Sequence, residues 1–207
     1  MATPRTGTST VSAVTGDGDA GFASAAQRDR RKRILDTTLA LASRGGYDAV
    51  QMRTVAEQAN VALGTLYRYF PSKIHLLVSA LAREFEEIQE KLGRTPIPGD
   101  TPTERMLYAL GRITRPMQRD PMLAEAMTRA FMFADPSAAA EVNNVARLME
   151  AILTRALHEG PPTADETAIA RIIGDVWLSS LVAWVTRRAS ASDVSNQLEL
   201  AARLLLR

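Results

Sequence analysis

"VALGTLYRYFPSK", residues 61–73, sets two tyrosines two positions apart, with an arginine between them, a glycine ahead and a Pro-Ser-Lys stop behind. Three of the nine Phe and Tyr residues in this 207-residue chain fall in the four positions from Tyr67 to Phe70. A core would scatter them. Leu66 and Phe70, four apart, share one face of a helix, and Thr65, Tyr67, Arg68 and Tyr69 then lie away from it. The cluster reads as an anchor and an exposed surface built into one short helix.

The residues just upstream complete a pattern. Val55, Ala56 and Ala59 outline a preceding short helix whose alanines permit close approach, and Asn60 tolerates a left-handed turn. Two short helices joined by such a turn are a helix-turn-helix. In that arrangement Tyr67 and Tyr69 offer hydroxyls to phosphates and rings to thymine methyls or sugars. Thr65 can touch a base edge, Gly64 lets the helix N-terminus approach a duplex closely, and Lys73 can pair with a phosphate. The alternative is an ordinary helical bundle that displays two tyrosines.

Charge separates the same region from the rest. Residues 24–73 carry nine Lys/Arg against four Asp/Glu, a surplus of +5, whereas residues 74–207 carry fifteen against seventeen. A basic unit on a near-neutral body points to a polyanion partner for that unit. Five cations crowd Arg28 to Arg33, where the start of a helix disfavours positive charge. Arg28, Arg30, Arg31 and Arg33 are therefore expected to approach DNA phosphates or the minor groove. Residues 1–23, rich in Gly, Ser, Thr and Ala, are expected to form a disordered arm, with order beginning at Ser24. Residues 24–73 form the head, and residues 74–207 a separate body. There is no cysteine, which removes disulfides and thiolate metal sites. No apolar run approaches the roughly 20 residues of a membrane span, and no signal peptide is visible, so a cytoplasmic location is expected.

The body is uniformly helical in pattern. Thr101-Pro-Thr-Glu104 and Thr163-Ala-Asp-Glu166 have capping-box spacing. Asp120-Pro121 and Asp135-Pro136 pair a cap with a proline at the first helical position. Ser192 is the expected cap of the last helix. Apolar residues recur every three to four positions and never every second one. The expectation is an all-α protein of about nine helices.

Six of the eight methionines lie between residues 101 and 158. Methionine is flexible and polarisable and suits an adaptable apolar cavity, although it also fills plain cores. The expected cavity residues are Met106, Leu110, Met117, Leu123, Met127, Phe131, Met149 and Leu153. Trp177, Leu181 and Trp184, at i, i+4 and i+7, either join that cavity or belong to an interface. Val194, Leu198, Ala201 and Leu205 make a second stripe in the last helix. Both stripes fit either an interface or closure of the monomer core.

"MRTVAEQANVALGTLYRYFPSK", residues 52–73, resembles the DNA-binding signature of the TetR family of one-component repressors: a small-residue helix, a turn, then Gly-Thr-Leu-Tyr-x-Tyr-Phe-x-Ser-Lys. Three positions depart from that pattern. Gln51 stands where Ser or Thr usually caps the first short helix, Asn60 replaces the turn glycine, and Ala62 replaces a serine that often caps the recognition helix. The resemblance implies a helix-turn-helix head on a ligand-binding and dimerisation body. It also implies a homodimer, a palindromic DNA operator, and a DNA contact set of Arg53, Thr54, Gly64, Thr65, Tyr67, Arg68, Tyr69 and Lys73. Together with "LAEAMTRAFMFADPSAAAEV" (123–142) and "DVWLSSLVAWVTRRASASDVS" (175–195), the head is similar to steroid-catabolism repressors within that family. This implies a sterol-derived acyl-CoA thioester as inducer, with Arg115, Arg119 or Arg129 near its phosphates. Another lipophilic ligand, such as a fatty acyl-CoA or a drug, is the alternative.

An enzyme is disfavoured by the residues themselves. The two histidines, His75 and His158, lie far apart and outside metal-ligand spacing. His75 reads as a packing or surface residue. No phosphate loop, nucleophile elbow or carboxylate pair is present. No metal and no cofactor is expected.

Overall fold

The computed structural model describes residues 17–158 and 160–206, with side chains from residue 25 onward. Among the described residues there are nine α-helices, one short 3-10 turn and no strand. The helices are α1 (Asp17–Ala49), α2 (Met52–Gln58), α3 (Leu63–Tyr69), α4 (Lys73–Gly93), α5 (Pro102–Arg119), α6 (Pro121–Met132), α7 (Ala139–Leu157), α8 (Ala164–Val185) and α9 (Ala191–Leu205). The 3-10 turn covers Pro136–Ala138, so the Asp135-Pro136 signal opens this turn and α7 follows directly.

Two helix starts differ from expectation. The chain is already helical at Asp17, so Ser24 does not begin the first helix. Residues 1–16 of the expected arm lie outside the described residues. The last helix is capped by Ser190, whose side chain accepts from Asp193 N–H in a full capping box, and not by Ser192. Ser192 instead shares a 2.8 Å hydroxyl contact with Ser190. The expected boxes at Thr101–Glu104 and Thr163–Glu166 both form.

Gly45 and Gly46 break α1, Gly46 taking φ 66°. That conformation favours glycine. The site is also tight: a Cβ on Gly46 would come within 3.0 Å of Glu125 Oε2 and 3.3 Å of Met122. Beyond the break the chain turns into α2.

The head packs around Ile34, Leu35, Val55, Leu66 and Phe70, all 2% exposed or less. The body core joins α4 through α9 and is continuous with that cluster. Guanidinium groups close two helix ends, where unpaired carbonyls carry partial negative charge. Arg105 of α5 donates to the Ala156 and Leu157 carbonyls at 3.1 and 2.8 Å. Arg155 donates to Leu92 and Gly93 at 3.2 and 3.3 Å. His75 is buried and bridges head to body: its Nε2 donates to the Ser137 carbonyl at 3.0 Å, and Nδ1 meets Ser72 Oγ at 2.9 Å.

Of the expected α9 stripe, Val194 and Leu198 are buried against the monomer and Ala201 and Leu205 half-buried, with Ala202 buried beside them, while Leu200 and Leu204 are exposed, as is Ile172 of α8. The inward stripe therefore closes the core, and a different set makes the outer apolar face. Among the described residues α8 is long and apolar enough, by length and composition alone, to cross a membrane. The sequence reading missed it because Arg171 and Asp175 interrupt the run.

Phe70 is the large anchor beneath α3. Phe70→Ala is expected to destabilise the head by about 3–5 kcal/mol. Urea denaturation followed by far-UV circular dichroism checks this.

Candidate DNA interface and ligand cavity

The helix-turn-helix is built by backbone geometry more than by caps. Asn60 adopts φ 53°, as its small polar side chain allows, and Val61 N–H donates to the Ala56 carbonyl at 3.0 Å across the turn. Neither Gln51 nor Ala62 makes a side-chain cap bond to its helix. At the opposite end of α2, Arg44 of α1 donates to the Gln58 side chain at 3.2 Å. Leu66 and Phe70 are buried, and Tyr67 is 46% exposed on the opposite side of α3. Arg53 and Arg68 are exposed, while Thr54, Thr65 and Tyr69 are half-buried. A Cβ placed on Gly64 would meet nothing within 4 Å, so the surface there is open.

The basic run is divided by its surroundings. Arg31 lies over the Phe70 ring at 5.6 Å from its centroid. Lys32 pairs with Asp36 at 2.8 Å, and Asp36 also meets Arg83 at 2.7 Å. Arg30 comes together with Gln27, Arg68 and Tyr69 around one shallow basin between α1 and α3. Two guanidiniums and a phenol around one concavity suit a phosphate. Arg28 and Arg33 are exposed on the same helix.

Lys73 is turned inward. Its ammonium donates to the Tyr47 carbonyl at 2.9 Å and lies 4.0 Å from the centre of the Tyr47 ring. Burial pulls its pKa below the usual lysine value, against an opposing pull from Asp48. Its first role is therefore to hold α4 against the break in α1. Tyr47 is gripped from the body as well. Its N–H donates to Glu125 Oε2 at 3.1 Å, and Arg129 sits 4.5 Å from its ring centre. Arg129 also lies 3.6 Å from Asp48 and 3.7 Å from Glu125. Arg129 thus belongs to the junction of α1 and α6, not to the mouth of a cavity.

The body encloses a cavity of about 530 Å³ between α4, α5, α6, α7 and α8, within the size range of small-molecule sites. Its buried wall includes Leu81, Phe85, Met117, Met149, Trp177 and Leu181. The Trp177 ring meets Phe85 edge-on at 6.0 Å, and its indole N–H donates to Thr114 at 3.0 Å. Exposed Asn143, Arg147, Arg171 and Asp175 edge the opening between α7 and α8. There Arg171 donates to Glu150 at 2.7 Å and Arg147 to Asn144 at 2.7 Å.

Five of the eleven expected ligand residues line this cavity: Met117, Phe131, Met149, Trp177 and Leu181. Met106, Leu110, Met127 and Leu153 are instead core, each 2% exposed or less. Their helical faces turn toward neighbouring helices rather than the void. Leu123 and Trp184 are half-buried and do not line it, and neither do Arg115 and Arg119. The α4 wall was missed because Leu81 and Phe85 read as ordinary helix core. Arg147 and Arg171 were missed because exposed arginines carry no distinguishing spacing.

Residues 34–80 match the bacterial regulatory proteins of the tetR family, and residues 99–205 match the tetracyclin repressor-like C-terminal domain. The chain belongs to the TetR family. It is a transcriptional repressor and not an enzyme. It is 64% identical over 202 residues to the HTH-type transcriptional repressor KstR of Rhodococcus jostii (strain RHA1), covering 98% of this chain and 94% of that one. It is 61% identical over 183 residues to KstR of Mycobacterium tuberculosis (strain ATCC 25618 / H37Rv), covering 88% and 83%. Among solved structures, a TetR transcriptional regulator from Rhodococcus sp. RHA1 superposes with a TM-score of 0.80 at 30% identity, covering 87% of this chain and 97% of that one. FadR from Bacillus subtilis, in complex with stearoyl-CoA, shares the fold at TM-score 0.61 and 20% identity, covering 84% and 97%.

Two outcomes follow. Arg30→Gln and Arg68→Gln, combined, are expected to lower the salt slope of DNA binding by about one unit per lost phosphate contact. Fluorescence anisotropy across a salt series reads this, and an unchanged slope assigns both arginines to solvent. Gly174 lines the cavity, and a Cβ there meets Met149 Cγ at 3.6 Å, an ordinary contact. Gly174→Leu therefore fits and fills space. It is expected to abolish ligand-driven release from DNA while leaving operator affinity within twofold, roughly 0.4 kcal/mol.

Proposed function

We propose that the chain binds palindromic operators as a homodimer, with α3 in the major groove, and lets go when a sterol-derived acyl-CoA thioester occupies the cavity. The genes it controls would then be those of cholesterol and steroid catabolism. The observation that carries the ligand half of this reading is the cavity: apolar within and edged where it opens by charged groups, Arg147 and the Glu150-paired Arg171 with Asp175 beside them. A rigid sterol nucleus buries a large apolar area, at roughly 25 cal/mol per Å² before binding costs. The CoA phosphates would remain at the mouth, where guanidinium groups suit them. High identity to KstR across nearly the whole chain supports the same choice.

On the DNA side, Thr65 and the exposed face of Tyr67 and Arg68 would meet the groove. Tyr69, Arg30 and the helix start at Arg53 and Thr54 would meet the backbone. The exposed Ile172, Leu200 and Leu204 would be covered by the same face of a second copy, which gives the two heads a fixed spacing. Such a protein works in the cytoplasm beside its operators, and α8 then faces a protomer rather than lipid.

Release would travel through two helices that serve both sites. α4 lines the cavity with Leu81 and Phe85 and begins at Lys73. α6 lines it with Thr128 and Phe131 and carries Glu125 and Arg129 to Tyr47. A ligand that prefers one arrangement of these helices shifts the population toward it by its difference in affinity.

Operator release measured against concentration of a sterol acyl-CoA, a long-chain fatty acyl-CoA and a free sterol tests the reading. The sterol thioester is expected to release the operator and the free sterol to do so poorly. Release by the fatty acyl-CoA alone would overturn the steroid assignment.

A further inference from the structure

Thr128 stands apart from the other buried threonines. Thr38, Thr114 and Thr154 each donate their hydroxyl to the carbonyl four residues earlier, at 2.8–2.9 Å. That bond is the usual way a helix satisfies a threonine. Thr128 lies in the middle of α6 and is only 4% exposed, yet its Oγ1 has no hydrogen-bond partner. It also lines the ligand cavity. A buried polar atom without a partner is costly, and the helix offers it the Ala124 carbonyl, which it does not take.

No residue of the cavity wall partners it. Leu81, Phe85, Phe131 and Leu181 are apolar, and the Trp177 indole N–H is committed to Thr114 at 3.0 Å. The charged groups of the cavity, Arg147, Glu150, Arg171 and Asp175, belong to α7 and α8, whereas Thr128 is on α6.

We propose that Thr128 is a specificity-determining residue: its hydroxyl hydrogen-bonds an oxygen carried by the part of the inducer that is buried against α6. The cavity then selects ligands oxygenated at that end over equally shaped hydrocarbon ones. This rests on the inducer reading above for the sterol class, but the oxygen requirement follows from Thr128 itself. A site that holds a hydroxyl for its ligand leaves that hydroxyl unpaired against the analogue lacking it, and so discriminates more strongly than an apolar wall can.

The test uses the full chain and two matched pairs of CoA thioesters. One pair is a sterol acyl-CoA with its ring oxygen and the corresponding deoxy compound. The other is an ω-hydroxy fatty acyl-CoA and its methyl-ended counterpart. Binding is read by tryptophan fluorescence, since Trp177 lines the cavity. The unaltered protein is expected to prefer the oxygenated sterol about tenfold or more. Thr128→Val, which keeps the shape, is expected to lose the preference while still binding the deoxy compound, and Thr128→Ser to restore it in part. If only the fatty pair binds and shows the same Thr128-dependent preference, the sterol reading falls and the oxygen contact stands. Equal affinity within each pair for the unaltered protein, or a preference that survives Thr128→Val, overturns the proposal. Failure of all four thioesters to bind overturns it as well.

Discussion

The Glu125 carboxylate accepts the Tyr47 N–H at 3.1 Å where α1 breaks, and with the Lys73 and Arg83 contacts to α1 and the continuous core it fixes the head against the body. Gly46 makes it possible by taking φ 66° and keeping the space before Glu125 clear. Lys73 closes the other side by binding the Tyr47 carbonyl. One residue of the head is therefore held through both its backbone polar groups, one by α6 and one by the start of α4. Each partner is charged, and charge-assisted bonds of this kind are the stronger ones. The two helices that hold Tyr47, α4 and α6, also line the cavity.

Much of this architecture was legible in the order of residues. Leu66 and Phe70 at i and i+4 gave the buried face of α3, and Asn60 gave the left-handed turn. The boxes at Thr101 and Thr163 marked two helix starts to the residue. These features are local, and short-range chemistry decides them. The failures were of another kind. Ser192 and Ser190 both offer a cap, and only Asp193, three residues after Ser190, decides between them. Met106, Met127 and Leu153 are as apolar as Met117 and Met149, and only the rotation of each helix distinguishes a cavity wall from a packed core. Lys73 was readable as a cation near DNA, but Tyr47, 26 positions away, captures it.

The cavity divides its chemistry along the fold. All of its helices contribute apolar wall, Leu81 and Phe85 from α4 and Phe131 from α6 among them, but its charged edge comes from the α7–α8 pair alone. A ligand with an apolar body and an anionic tail meets both at once. The part of it that could move α4 or α6 is the part buried furthest from solvent, while the tail can contribute affinity without acting on those helices. Affinity and signal can in this way be carried by different portions of one molecule.

The two uncapped helices of the head have a thermodynamic consequence. α2 and α3 are seven residues each and have no side-chain cap. Isolated helices of that length are unstable in water, so Leu66, Phe70 and their neighbours hold them together. Their order therefore rests on that packing rather than on the helices themselves. Any DNA that binds only the ordered head raises its stability by mass action. Operator occupancy and order in the recognition helix are then two readings of one equilibrium. Amide exchange in residues 52–69 would slow as DNA is added and quicken again when the operator is vacated.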